Sequence, residues 1–328
     1  MSHFIVTGAN GFVGRALCRA LLDDGHIVTG LVRTPNGCVD GVNEWVFRGA
    51  DYARLAEAWP QDLQADGLIH LAARVHVMKE RAVDPEAAFH ATNVDGTLRV
   101  AQAACLHDVR RFVFVSSIKA VAETDHGQPL RESDTPAPED AYGRSKLAAE
   151  QALCRLPDTS NTPDARDAAG LELVIVRPPL VYGPDVRANF LRLMDALWHG
   201  VPLPLGAISA RRSLVYVNNL ADALKQCATD PRAAGGTFHV ADDEAPTVTE
   251  LLQRLCRQMG RPARLLAVNP AWLRALERLT GTTKRTDRLT SSLRVDTSRL
   301  CGTLGWRAPY SLDEGLAETA RWYRSTHG

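Results

Sequence analysis

The chain has 328 residues, 45% apolar and 23% charged, with 38 basic against 38 acidic side chains; this is a globular composition and excludes disorder, collagen and coiled coil. At roughly 100–200 residues per domain, the length suits one large domain or two moderate ones. A net charge of zero argues against a dedicated nucleic-acid or anionic-membrane binder, which needs surplus Lys and Arg to displace counterions, so any bound anion must be held locally.

Over the first 180 residues short β-rich runs alternate with longer stretches of helical period, as a parallel sheet with crossover helices requires. Candidate strands are Phe4–Thr7, Ile27–Val32, Leu68–Leu71, Phe112–Ser116 and Leu173–Arg177. After the first, Val13, Ala16, Leu17, Ala20 and Leu21 recur at helical spacing and turn one stripe to the sheet. Asp84-Pro85 supplies an N-cap and a first-turn proline for a long helix running towards His107. Residues 157–170 are polar and rich in turn formers, which predicts an exposed, expendable loop. Further helices are expected at Asn189–His199, Asn219–Ala228, Thr247–Met259 and Ser311–Tyr323. Two of these begin with capping-box spacing, Thr247-Val-Thr-Glu250 and Ser311-Leu-Asp-Glu314.

The first strand runs into Gly8-Ala-Asn10-Gly11-Phe12-Val13-Gly14. Three glycines at a strand-to-helix turn let backbone amides approach a diphosphate, and the helix N-terminus favours its charge. The spacing is G-x-x-G-x-x-G rather than the G-x-G-x-x-G of the dinucleotide fingerprint, so glycines that merely shape a turn remain an alternative. Their place between an N-terminal strand and an amphipathic helix favours the dinucleotide. In NAD-binding folds an acidic residue after the second strand grips the ribose, but here that strand ends Gly30-Leu31-Val32-Arg33. Arg33 could pair with the 2′-phosphate of NADP; a solvated surface arginine is the alternative. NADP is therefore the preferred cofactor, with NAD possible.

Tyr142 and Lys146 lie four apart in Ala141-Tyr142-Gly143-Arg144-Ser145-Lys146 and share one helix face. A neighbouring ammonium favours the phenolate and eases proton exchange with a substrate oxygen. With 6 Tyr and 5 Lys in 328 residues, about 0.09 such pairs arise by chance, so one match is suggestive without being decisive. Upstream, the Phe112–Ser116 strand carries Ser116 and Ser117 to the carboxyl edge where such sheets bind ligands. Ser117 could hydrogen-bond a carbonyl or alkoxide, or both serines could simply satisfy backbone groups.

Taken in order, these segments resemble the extended short-chain dehydrogenase/reductases, the NAD-dependent epimerase/dehydratase family. The resemblance covers nearly the whole chain. It runs through Thr7–Gly14, His70-Leu71-Ala72-Ala73, Asn93-Val-Asp-Gly-Thr97, Ser116-Ser117, Tyr142-x-x-x-Lys146, Arg177-Pro178-Pro-Leu-Val-Tyr-Gly183-Pro and Leu304-Gly-Trp306. It implies a doubly wound parallel sheet, a Rossmann fold, with a smaller mixed α/β lobe. The expected division is residues 1–180 plus 213–242 for the dinucleotide and 181–212 plus 243–328 for the substrate. The resemblance implies Ser117, Tyr142 and Lys146 as catalytic residues. Around the cofactor it places Gly8, Asn10, Gly11, Phe12, Val13, Gly14, Arg33, Leu71, Ala72, Ala73, Asn93, Ser116, Tyr142, Lys146 and Pro178. For a UDP-sugar substrate it points to Arg74, His76, Ser117, Asn189, Arg212 and Arg288. Each has a plainer reading: His76 as a packed histidine, Arg212 beside Arg211 as a solvated pair, and Arg288 as part of a basic loop with Lys284 and Arg285. A homodimer through a four-helix bundle that includes the Tyr142 helix is also implied.

Family dehydratases carry an Asp-Glu pair straight after the catalytic Ser or Thr, whereas this chain has Ile118-Lys119, which disfavours elimination of water. Two hydride chemistries at a sugar C4 remain, epimerisation and reduction of a ketone. Arg33 favours NADPH and so reduction, and Ser116-Ser-Ile-Lys119, His70–Met78 and Arg177-Pro-Pro-Leu-Val-Tyr-Gly-Pro look like the subgroup reducing UDP-4-keto-6-deoxy-N-acetylhexosamines for bacterial surface polysaccharides, which is the leading expectation. A UDP-sugar C4 epimerase is the first alternative, and a non-catalytic NADP-binding redox regulator the second.

Cys18, Cys38, Cys105, Cys154, Cys227, Cys256 and Cys301 form no C-x-x-C pair and read as free thiols in a reducing cytoplasm. No run approaches the roughly 18 apolar residues of a membrane helix, and a strand pattern starting by His3 leaves no room for a signal peptide. Ten histidines without H-E-x-x-H or clustered Cys/His spacing give no expectation of a metal.

Overall fold

Seven parallel strands form the central sheet of the computed structural model, which describes residues 1–75, 84–156, 170–268 and 290–327. The strands are β1 (His3–Thr7), β2 (Ile27–Val32), β3 (Asn43–Val46), β4 (Gly67–His70), β5 (Arg111–Val115), β6 (Glu172–Arg177), β7 (Leu180–Tyr182), β8 (Leu214–Tyr216) and β9 (Thr237–His239). Among the described residues the helices are α1 (Phe12–Asp23), α2 (Pro85–His90), α3 (Gly96–Leu106), α4 (Ala141–Leu153), α5 (Ala188–Trp198), α6 (Val217–Thr229), α7 (Val248–Met259), α8 (Ser298–Leu304) and α9 (Leu312–His327). The sheet order is β3-β2-β1-β4-β5-β6-β9, while β7 and β8 make a separate parallel pair. Strand succession reverses between β1 and β4, the doubly wound arrangement expected, and the crevice at that switch point lies outside the carboxyl ends of the strands.

Both faces of the sheet are covered, which is why its strands read as nearly continuous apolar runs. Side chains alternate between two cores: Val6, Val28, Val113 and Val176 pack on one face with Leu17 of α1 and Leu220 and Leu224 of α6. Ile5, Leu31, Leu68, Phe112, Phe114 and Ile175 pack on the other with Val100 and Ala104 of α3 and Ala149 and Leu153 of α4. Both capping boxes form: Thr247 and Glu250 exchange bonds of 2.8 and 3.1 Å, Ser311 and Glu314 of 2.8 and 3.3 Å.

Two features depart from expectation. The long helix starting at Asp84 is not continuous. Asp84 does cap it, accepting from the Ala87 amide at 3.1 Å, but a π turn over Ala91–Asp95 separates α2 from α3. That turn carries Asn93, whose side chain is tied to two other elements, as described below; wide turns of this kind mark places where a helix is bent to a local demand. Strands β3, β7, β8 and β9 were not anticipated because three or four residues are too short to display a period. Most of the expected exposed loop, residues 157–169, lies outside the described residues.

Behind α4 a buried ion pair joins it to β6: Glu150 accepts from Arg177 Nε at 3.0 Å and Nη2 at 2.6 Å, with side-chain exposures of 4% and 8%. Removing one partner strands the other charge. Glu150→Ala should therefore lower unfolding free energy in urea by about 3–5 kcal/mol. Glu86→Ala, which breaks the exposed Arg144–Glu86 pair, should cost under about 1 kcal/mol; equal losses would contradict this assignment.

Candidate active site

The glycine turn follows β1 directly. Gly8 has φ +68°, and a Cβ there would meet the Ala72 amide nitrogen at 3.3 Å. At Gly14 a Cβ would fall 2.2 Å from the Gly8 carbonyl oxygen and 2.8 Å from Ala9 Cα, so α1 docks on the end of β1 only because that atom is missing. The helix is capped by Gly11, which offers no side-chain acceptor; the first-turn amides are therefore suited to an external anion. This cradle fits a dinucleotide diphosphate. Asn10 leans on the loop after β2, where a Cβ at Gly37 would come within 2.9 Å of Asn10 Cβ. That loop is shaped by Glu44 of β3, whose carboxylate accepts from the amides of Asn36, Gly37 and Cys38 at 2.7–3.0 Å. The amides of Cys38 and Asn36 hold this carboxyl below its usual range. Arg33 stands exposed at the end of β2, and Phe12, Val13 and Leu71 are half-buried against the core.

A buried chain of hydrogen bonds runs from this turn to α4. Thr97 Oγ1 donates to the Asn93 carbonyl at 2.7 Å, so it must accept from His70 Nε2 at 3.1 Å. His70 Nδ1 is then an acceptor for the Thr7 hydroxyl at 2.8 Å, and Thr7 in turn accepts from the amides of Leu71 and Ala72, each at 3.1 Å. The Asn93 side chain brackets Arg74, accepting from its amide at 2.8 Å and donating to its carbonyl at 3.0 Å, and also donates to Ser145 Oγ at 2.9 Å. Ser145 donates to the Tyr142 carbonyl at 2.8 Å. Thr7, His70, Thr97 and Ser145 were missed as site residues, although His70 and Thr97 sit in motifs read from the sequence. Polar side chains inside otherwise apolar runs were the available signal.

Tyr142 lies in the first turn of α4, where Ser117, just beyond β5, is close enough to favour its charged form. Ser117 Oγ also accepts from the Lys119 amide at 3.2 Å. The Ile118 amide donates to the Pro178 carbonyl at 2.9 Å, bringing the end of β6 alongside. Ser116 is buried, and its hydroxyl has no hydrogen-bond partner among the described residues. Lys146 is buried too: its Nζ donates to the Val115 carbonyl at 2.9 Å and sits 4.7 Å from the centre of the Phe114 ring. The expected depression of the tyrosine is not found. Desolvation pushes the Tyr142 hydroxyl up to about 12, against the pull of Ser117, and the nearby Asp140 charge adds to the rise. Desolvation likewise brings the Lys146 amine down to about 8, opposed by Glu150.

Arg74 is held by Asn93 and approaches the Phe89 ring at 5.8 Å. Asn189 is exposed at the start of α5. Arg212 is half-buried, with its amide on the Pro246 carbonyl at 2.9 Å and its backbone bridged to Leu293. Its neighbour Arg211 is exposed and donates to the Ala245 carbonyl at 3.0 Å. His76 and Arg288 lie outside the described residues. No group of three or more His, Cys, Asp or Glu that could hold a metal ion occurs among the described residues.

Residues 4–241 match the model of the NAD dependent epimerase/dehydratase family. The chain belongs to this family. It is 38% identical over 321 residues to a UDP-glucose 4-epimerase of Vibrio cholerae, covering 97% of this chain and 94% of the relative. A UDP-glucose 4-epimerase of Mycolicibacterium smegmatis is 30% identical, with 98% of each chain covered. In fold the family member is similar to a UDP-glucuronic acid 4-epimerase of Bacillus cereus solved in complex with NAD, at TM-score 0.76 and 20% identity over 99% of this chain and 100% of that one.

Two neutral imidazoles link the fold to pH. Desolvation, aided by the Lys146 charge, takes His70 down to about 3; desolvation, aided by Arg177, takes His239 down to about 4. An unfolded chain binds these protons near pH 6.5 and the folded one does not, so stability is full above that pH. It falls by about 1.4 kcal/mol per pH unit for each histidine as pH drops towards 4. Urea unfolding from about pH 7 to about pH 5 should record this loss, and a flat profile would refute it. Gly14→Ala should weaken NAD binding by at least about tenfold in a fluorescence titration, because the added methyl drives α1 off the turn.

Proposed function

We propose that the protein carries out nicotinamide-dependent oxidation and reduction at C4 of a UDP-hexose, with C4 epimerisation as the net result. The observation that carries this reading is the approach of Ser117 to the Tyr142 hydroxyl, beyond β5 at the carboxyl edge of the sheet that also bears the glycine turn. The similarity to two UDP-glucose 4-epimerases supports the sugar and the outcome. Where a dehydratase would need further acid and base groups, this chain has buried Ile118 and a Lys119 held by Asp140 and Glu123.

In this reading Gly8, Gly11 and Gly14 with the α1 amides hold the diphosphate, Asn10 and the loop after β2 border the adenosine end, and Lys146 reaches the nicotinamide ribose. When bound there, a nicotinamide would supply the hydride acceptor and donor for C4. Tyr142 receives the proton of the C4 hydroxyl and gives it back, while Ser117 donates a hydrogen bond to the same oxygen. A phenol near 12 gives a proton to a developing alkoxide readily. It takes one poorly at neutral pH, so the oxidation half depends on cationic charge close to the ring.

A second reading, reduction of a UDP-4-keto-6-deoxy-N-acetylhexosamine by NADPH, is favoured by one observation. Arg33 stands exposed at the end of β2, where a ribose-binding carboxylate would repel a 2′-phosphate. A cytoplasmic homodimer is part of the proposal, supported by seven unpaired thiols and by Leu106, 72% exposed at the end of α3.

Incubation with UDP-glucose and UDP-N-acetylglucosamine, followed by chromatographic resolution of epimers, is expected to yield the C4 epimer without net cofactor consumption. Stoichiometric NADPH oxidation with a UDP-4-keto sugar, and no epimer, would establish the reductase. Tight dinucleotide binding with neither activity would leave a regulator. Tyr142→Phe should lower turnover by about 10²–10⁴-fold, with NAD affinity within about threefold; wild-type turnover would remove Tyr142 from this role.

A further inference from the structure

Lys119 occupies an unusual place. Its Nζ lies 2.6 Å from Asp140 Oδ2 and 3.1 Å from Glu123 Oε1, with Glu123 only 6% exposed. The other oxygen of Asp140 caps α4, accepting from the Gly143 amide at 2.8 Å. The contact extends to the main chain, because a Cβ at Gly143 would fall 2.4 Å from the Lys119 carbonyl oxygen. The Lys119 amide is at the same time bonded to Ser117 Oγ. One residue therefore joins the turn that presents Ser117 to the first turn of the helix that presents Tyr142.

We propose that Lys119 is a positioning residue that locks the Ser117 turn onto the cap of α4 and masks the Asp140 carboxylate from the Tyr142 hydroxyl. Asp140 is held below the usual carboxylate range: burial opposes this, but Lys119 and the Gly143 amide outweigh it. Its negative charge is thus permanent, and uncompensated it would oppose formation of a phenolate two residues away. Other charged side chains among the described residues stand on α4 and the elements packed against it. Lys146 and Arg144 are on the same helix, with Arg144 paired to Glu86 of α2; Glu123 lies behind Lys119, Arg74 lies beyond the Phe89 ring, whose centre is 6.2 Å from that of Tyr142, and His90 at the end of α2 faces Asp95 of the π turn at 3.5 Å. Among them Lys119 is the cation bound directly to the acid that caps the tyrosine helix.

The proposal rests on the reading of Tyr142 as proton carrier, and its test separates the two. The protein loaded with NAD is titrated by near-ultraviolet tyrosinate absorbance, taken as the difference from the matching Tyr142→Phe protein; this reports the phenol whether or not turnover occurs. Lys119→Met is expected to raise the Tyr142 midpoint by about one pH unit and to move the rising limb of kcat/KM upward by the same amount, about tenfold at fixed pH. Asp140→Asn keeps a capping oxygen and should lower the midpoint. In the double variant Lys119→Met should add no further shift, and Lys119→Arg should restore the parent profile. A midpoint unchanged in Lys119→Met, or a shift that persists undiminished beside Asp140→Asn, overturns the proposal. Shifts in the tyrosinate signal without any turnover uphold it and overturn the proposed function instead.

Discussion

The arrangement of the site depends on one buried chain of hydrogen bonds, from Thr7 through His70, Thr97 and Asn93 to Ser145 and the carbonyl of Tyr142. Each side chain in it makes at least two hydrogen bonds, and the Thr97 bond to the Asn93 carbonyl fixes which of the His70 nitrogens donates. In a low-dielectric interior an orphaned member would cost roughly 1–3 kcal/mol. The network therefore tolerates one geometry, and that geometry sets the distance between the glycine turn and the tyrosine helix. The π turn follows from it. Asn93 must reach the Arg74 backbone and Ser145 at once, and a regular helix through Ala91–Asp95 would not present it there.

Charge is arranged around the same helix in layers. Glu150 and Arg177 neutralise each other behind it, Lys146 is stripped of water and resting on a carbonyl and an aromatic ring, and Lys119 offsets Asp140 at its start. Burial dominates Tyr142 and Lys146, which is why the phenol and the amine both move away from their charged forms. Proximity in sequence, Tyr142 to Lys146, did not translate into an electrostatic partnership; the amine turns to Val115 instead.

What could be read from the amino-acid sequence was what is local. The glycine spacing, the Tyr-x-x-x-Lys step, the capping boxes and strands β1, β2, β4, β5 and β6 each lie within about ten residues, so spacing alone carries them. Thr7 and His70 are 63 residues apart, as Asn93 and Ser145 are 52 apart, and no periodicity connects such partners. Strands β3, β7, β8 and β9 failed for the opposite reason, being too brief to show a pattern. The long helix from Asp84 failed because its capping and apolar signals are genuine at both ends while a single asparagine bends the middle.

Glu44 adds a different kind of constraint. Its carboxylate seals the loop after β2 from within the protein, using three amides that would otherwise be free to attract an anion from solution. Those amides hold the acid below its usual range, so the loop beside Asn10 keeps these bonds to lower pH than a glutamate without such partners would. The loop beside the glycine turn is thereby tied down from inside the protein, which leaves less ordering entropy for a ligand there to overcome.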